Sequence, residues 1–98
     1  MADEKAKTEK NDNVVFVGNK PSMNYVLAVI TQFHNNIKRV EIKARGRAIS
    51  RAVDVAEITR NKFLPDVKVS KIEISTEKVT DRNNEEANVS AINIVLGK

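Results

Sequence analysis

Arg39-Val40-Glu41-Ile42-Lys43-Ala44-Arg45-Gly46-Arg47-Ala48-Ile49 is the stretch from which the rest of the chain can be read. Residues 39–43 alternate charged and apolar side chains, the period of two that marks a half-buried strand. From Ile49 the period turns helical: Ile49, Ala52, Val53 and Ala56 fall on one stripe, with Arg51, Asp54 and Glu57 on another. Lys43, Arg45, Gly46 and Arg47 therefore stand around a strand-to-helix turn. A helix N-terminus presents unpaired N–H groups and partial positive charge, so it favours an anion. The planar forks of Arg45 and Arg47 match phosphate oxygens, and Gly46 lets a backbone approach closely. Cations at a helix start oppose the macrodipole, so helix stability does not account for them, whereas a phosphate partner does. The plain alternative is a basic turn that only keeps the chain soluble. Against it, residues 38–62 carry eight cations and three anions, a net +5 that exceeds the +4 of the whole chain. A regional excess fits a polyanion better than general solubility does.

Working outward, the second helix is expected to run from about Ile49 to Phe63, where Leu64-Pro65-Asp66 breaks it. The sequence leaves the Leu64–Pro65 bond cis or trans. Val67 and Val69 then alternate, followed by Ile72 and Ile74; the parity switch predicts a bulge or twist. Val79 continues the strand outward. Asp81-Arg82-Asn83-Asn84-Glu85-Glu86 reads as a polar turn, and Val89, Ile92, Ile94 and Leu96 as the returning strand. Upstream, Val14-Val15-Phe16-Val17 ends at Gly18 and reads as a strand covered on both faces. Pro21 and Ser22 open a helix whose apolar residues are Met23, Val26, Leu27, Ile30, Phe33 and Ile37, closed by Asn35-Asn36. Residues 1–13, with Asp3, Glu4, Glu9 and Asp12 against Lys5, Lys7 and Lys10, read as a disordered charged tail. Residues 14–98 form one domain of order βαβαββ, an α/β chain of the α+β sandwich type. The last two strands give about ten residues on each side of their turn, more than a small body needs, so the hairpin is expected to project.

Composition narrows the function. The chain has 98 residues, 41% hydrophobic, with no Trp and only Phe16, Tyr25, Phe33 and Phe63 as aromatics, so its core is mostly aliphatic and pairing into a homodimer is expected. The absence of cysteine removes disulfide, thiolate-metal and thiol chemistry. No apolar run approaches the roughly 20 residues of a membrane span, and no signal-peptide apolar region is expected at the N-terminus. Asn88-Val89-Ser90 matches a glycosylation acceptor by coincidence. His34 has no Asp, Ser or Cys partner in the pattern, so no catalytic or metal role is assigned to it. Asp54 and Glu57, three apart on a helix, read as a solvated face pairing with Arg51, Arg60 or Lys62 rather than as a catalytic pair. No cofactor is expected.

Four blocks carry a resemblance: Asn13-Val14-Val15; Gly18-Asn19-Lys20-Pro21-Ser22-Met23-Asn24-Tyr25-Val26; Ile42-Lys43-Ala44-Arg45-Gly46-Arg47-Ala48-Ile49-Ser50; and Arg60-Asn61-Lys62-Phe63-Leu64-Pro65. In this order the chain resembles the Alba family of archaeal chromatin and RNA-binding proteins. The resemblance implies a fold similar to the C-terminal domain of translation initiation factor three, a homodimer, and sequence-tolerant binding of duplex DNA and of RNA. It implies a body on the phosphates and two hairpin arms along the minor groove. Arg45 and Arg47 match the family's phosphate-contacting arginines, flanked by Lys43 and Gly46. Lys20 matches the second lysine of a pair in the first strand-to-helix loop. Asn19 stands where the first lysine, whose charge acetylation can cancel, would be, which leaves Lys20 as the candidate for modification. Phe63 reads on its own as a helix-end core cap; by resemblance it packs one dimer against the next on DNA, with Asp54 and Arg60 nearby. The turn departs from a minor-groove arm, because only Arg82 is basic there against Asp81, Glu85 and Glu86.

The sequence thus reads as a non-enzymatic, cytoplasmic and chromosome-associated protein that coats or compacts duplex DNA and also binds RNA. The alternative is an RNA-binding protein of ribonucleoprotein assembly or RNA stability. A nuclease lacks the carboxylate cluster and histidine pair it needs; a module whose basic face meets an acidic protein is the remaining class.

Overall fold

A computed structural model describes residues 13–98. The expected tail lies outside the described residues except for Asn13, whose carbonyl accepts a hydrogen bond from Glu41 N–H at 2.6 Å. The elements are β1 (Val14–Phe16), α1 (Ser22–His34), β2 (Arg39–Arg45), a 3₁₀ turn (Gly46–Ala48), α2 (Ile49–Ile58), a π turn (Thr59–Phe63), β3 (Lys68–Thr80) and β4 (Glu86–Gly97). They form one four-stranded sheet of spatial order β1-β2-β4-β3, with β1 parallel to β2 and β4 antiparallel to both its neighbours. The βαβαββ order is the expected one. The return strand β4 wedges between β2 and β3, so every strand except β1 and β3 is paired on both sides.

The helices cover one face of the sheet. Val15, Val40, Ile42, Ile94 and Leu96 point toward them and are buried against Val26, Val29, Phe33, Ala52, Val55 and Ala56. Phe33 is the single buried aromatic, so the core is aliphatic as the composition required. Burying each of these large side chains is worth about 1.5–3 kcal/mol. Truncation to Ala of Ile42, which has no exposure at the centre of the sheet, would cost about 2–5 kcal/mol.

Three sequence expectations change. The Val14–Val17 run is not covered on both faces: Val15 and Val17 are buried, but Phe16 is 66% exposed, because helices lie on only one side of the sheet. On α1 the buried stripe is Val26, Val29 and Phe33, while Met23 and Leu27 face outward. On α2 it is Ala52, Val55 and Ala56, continuing into Thr59, and Val53 is exposed. Both helices are apolar around more of their circumference than this sheet can cover, so spacing alone does not say which side turns inward.

The remaining boundaries agree with the pattern. Asn36 ends α1 with φ 69°, a left-handed conformation that Asn tolerates. The helical reach to Phe63 is real, though its last turn widens: Leu64 N–H reaches back to Thr59 O at 2.8 Å. The Leu64–Pro65 bond is trans. The parity switch in β3 is a bulge, with the register against β4 slipping between Val69 and Lys71. The hairpin pairs without further interruption from Lys71–Val95 to Thr80–Glu86. At its tip the Asp81 carboxylate accepts the N–H groups of Asn83 (2.8 Å) and Glu85 (2.9 Å), the short-range bonding that makes Asp a turn residue.

Candidate nucleic-acid interface

Two loops meet at one end of the domain. The first, Val17–Pro21, joins β1 to α1; the second is the 3₁₀ turn between β2 and α2. Arg51, in the first turn of α2, donates from Nη1 to the carbonyl of Gly18 at 2.7 Å, tying the loops together. From the other side the Tyr25 hydroxyl accepts two backbone N–H bonds, from Gly18 at 2.9 Å and Lys20 at 3.1 Å. The loop that carries Asn19 and Lys20 is thereby fixed beside the turn that carries Arg47. Asn19, Lys20, Arg45 and Arg47 are exposed, and Lys43 is half-buried on the sheet.

Gly46 has φ +61°, and a Cβ built there would meet nothing within 4 Å. Glycine suits this left-handed backbone conformation, and the space before it is open. Neither helix start carries a side-chain cap or an acid in its first turn; the capping positions are Pro21 and Ala48. Natural helix starts usually satisfy these N–H groups with Ser, Thr, Asp or Asn. The Gly46 carbonyl accepts the Ile49 N–H, so the 3₁₀ turn runs on into α2. The starts of this run and of α1 both lack a side-chain cap and lie at the same end of the domain, with the cations next to them.

The predicted cations do not all stand free. Arg45 Nη1 lies 3.0 Å from Glu77 Oε1 on β3. Lys20, Lys43, Arg47 and Arg82 form no ion pair among the described residues. Arg82 is remote from the paired loops, at the far end of the hairpin, where Lys78 faces Glu86 at 3.9 Å and offsets part of the acidic tip.

Phe63 is 45% exposed, which removes the core-cap reading. Arg60 pairs with Glu57 at 3.0 Å, as the solvated-face reading expected, while Asp54 is exposed with no bond among the described residues. Arg51 turns to Gly18 instead of pairing with either carboxylate. Among the described residues no group of three or more His, Asp or Glu stands close enough to hold a metal ion, and no helix is long and apolar enough to cross a membrane.

Sequence reasoning passed over Tyr25, Arg51 as a loop tether, and Glu77. Tyr25 could have been found from its place one turn into α1, where a hydroxyl can reach the preceding loop. Glu77, 32 residues from Arg45, gave no signal.

A two-layer βαβαββ domain with a projecting hairpin and two basic loops at uncapped helix N-termini is a well-defined class. Residues 13–76 match the model of the Alba family. Over 88 residues, 89% of this chain and 97% of the relative, it is 69% identical to the DNA/RNA-binding protein Alba of Methanothrix thermoacetophila. It is 67% identical over 87 residues to DNA/RNA-binding protein Alba 1 of Archaeoglobus fulgidus, covering 97% of that protein. The solved structure of Alba from Thermoplasma volcanium superposes with a TM-score of 0.84 at 56% identity, over 88% of this chain and all of that one. ALBA1 from Trypanosoma brucei keeps the fold at 30% identity, with a TM-score of 0.72 over 89% of this chain and 69% of that one. The chain belongs to the Alba family.

Proposed function

We propose that this protein is a non-enzymatic nucleic-acid-binding protein that coats or compacts duplex DNA as a homodimer and also binds RNA. The single observation that carries the reading is the Arg51–Gly18 tether, which sets Lys20 beside the Arg45-Gly46-Arg47 turn at two uncapped helix N-termini. Such a surface takes phosphates and reads no base edges, so binding is largely independent of sequence. The relatives' name, DNA/RNA-binding protein, supports the same partners. Asn19 supplies no charge, so Lys20, Lys43, Arg45 and Arg47 carry the body contacts. Lys20 is the position where acetylation would act, and the protein works in the cytoplasm on the chromosome.

The homodimer is supported by an apolar surface on the helix side of the hairpin. Ile74 is 80% exposed, Ile72 57% and Val53 42%, and Ile49, Ile74 and Ile92 line one shallow depression. A second copy that covers these side chains also sets two basic ends on one face. In the π turn that follows α2, Phe63 and Arg60 form, with Asp54 of α2, the contact from one dimer to the next.

Titration of duplex DNA at two salt concentrations, with structured RNA as competitor, tests the function. Phosphate binding gives an affinity that falls linearly in log–log with salt, by about 0.9 per phosphate neutralised. A flat salt response overturns it, and preferential displacement by RNA moves the function to ribonucleoprotein assembly.

A further inference from the structure

Phe16 is the one large apolar side chain that β1 leaves in water, on the face of the sheet away from the helices. Strand register sets it abreast of three others: Phe16 opposite Lys43, Lys43 opposite Asn93, Asn93 opposite Glu73. These side chains, with Arg45 and Glu77, line a cavity of about 610 Å³, within the roughly 300–1,000 Å³ that small-ligand sites occupy. An exposed aromatic ring on an open sheet, with a lysine in register and an arginine two residues further along the same strand, supplies the two things a nucleotide needs: a π surface for the base and cations for the phosphates. The cation in register with the ring is available, since Lys43 makes no ion pair among the described residues. The two carboxylates that line the cavity, Glu73 and Glu77, stand on β3, and Glu41, on β2 of the same face, accepts a hydrogen bond from Asn93 Nδ2 at 2.9 Å. Glu73 meets Lys71 at 3.3 Å and Glu77 meets Arg45 at 3.0 Å. The β3 carboxylates repel a phosphate, so a nucleic-acid backbone runs past Lys43 toward the Arg45 end of β2, away from Glu41.

We propose that the open sheet face around Phe16 is a stacking site for an unpaired base of single-stranded nucleic acid, with Lys43 and Arg45 on the flanking phosphates. The inference rests on the nucleic-acid-binding reading and adds a ligand class that the paired loops do not select. Bases in a duplex are stacked on one another and cannot lie on Phe16. A single strand can lay one base on the ring while its backbone runs toward the Gly46 turn.

The test compares oligo(dT) and a blunt duplex as probes for the full chain and for Phe16→Ala and Phe16→Trp. Loss of one base–aromatic stack weakens single-strand binding by roughly 5- to 150-fold, so Phe16→Ala is expected to fall in that range for oligo(dT) and to keep its duplex affinity. Phe16→Trp retains single-strand binding. Because the chain has no other tryptophan, its emission reports the site directly, and oligo(dT) should quench it where the duplex does not. Thermal melting of each variant shows that the fold is intact. Equal losses for both probes, no loss for either, or a change in oligomeric state with Phe16→Ala each overturn the stacking site; the last would make this face a contact between copies. If the unsubstituted chain binds neither probe, the function itself fails, and that result is distinct from binding that is indifferent to Phe16.

Discussion

Nη1 of Arg45 sits 3.0 Å from Oε1 of Glu77, so an arginine at the end of β2 is tied to a carboxylate partway along the hairpin. Both side chains are largely in water, 60% and 49% exposed. The pair therefore contributes little to stability, on the order of 0–1 kcal/mol. Its effect would fall on binding: Glu77 competes with any phosphate brought to Nη1 of Arg45.

Glu77→Gln is expected to tighten duplex binding at low salt, by up to ~5-fold given what a surface pair is worth, with thermal stability unchanged. Anisotropy titrations of the two proteins at one low salt concentration make the comparison. A weaker variant would mean that Glu77 positions Arg45 for its phosphate instead of competing for it.

Arg45→Ala with Arg47→Ala should weaken binding to every duplex sequence about equally, because phosphate contacts carry no base information. The slope of log affinity against log salt should fall by roughly 1–2 for the contacts removed. Taken singly, Arg47→Ala should lower the slope more, since Arg47 forms no ion pair among the described residues whereas Arg45 pairs with Glu77. An unchanged slope in the double variant moves the binding face elsewhere.

Tyr25→Phe deletes the acceptor of two loop N–H groups, from Gly18 and Lys20, without altering charge. At about 0.5–1.5 kcal/mol per hydrogen bond, chemical denaturation should register a loss of roughly 1–3 kcal/mol. Duplex affinity should fall as well, because the Lys20 loop is no longer held beside the Arg47 turn. Stability lost with affinity intact would show that loop order does not matter to binding.

Ile74→Glu places a charge at a position 80% exposed in the single chain. Surface changes of this kind leave the fold within about 0.5 kcal/mol. Sedimentation should nevertheless turn a dimer into a monomer, since the carboxylate would be desolvated against a second copy. A dimer that survives places the interface on another surface.

Phe63→Ala should cost only about 1 kcal/mol of stability, in proportion to its half-burial, and leave binding of one dimer to a short duplex nearly intact. Coating of long DNA should lose cooperativity. A loss of about 3–5 kcal/mol, typical of a fully buried Phe→Ala change, would return Phe63 to the core.

Element order, the β3 bulge, the helix limits and the basic turn were all present in the sequence, because each rests on local periodicity or on a residue with a strong backbone preference. The step from Val69 to Ile72 announced the slip in register, whereas the left-handed φ of Gly46 came only with the structure. Three things needed the tertiary structure. The inward side of each helix could not be read, since Leu27 and Val53 are as apolar as the Val26 and Val55 buried beside them; which stripe meets the sheet depends on how two helices share one face. The exposure of Phe16 followed from the helices lying on the same side, which no local pattern encodes. The tethers Arg51–Gly18 and Arg45–Glu77 span 33 and 32 residues. Their partners meet only because β4 inserts between β2 and β3 and α2 packs its first turn beside the loop after β1. Residue spacing sets what each segment can form; the pairing of distant segments decides which charges are free to meet a phosphate.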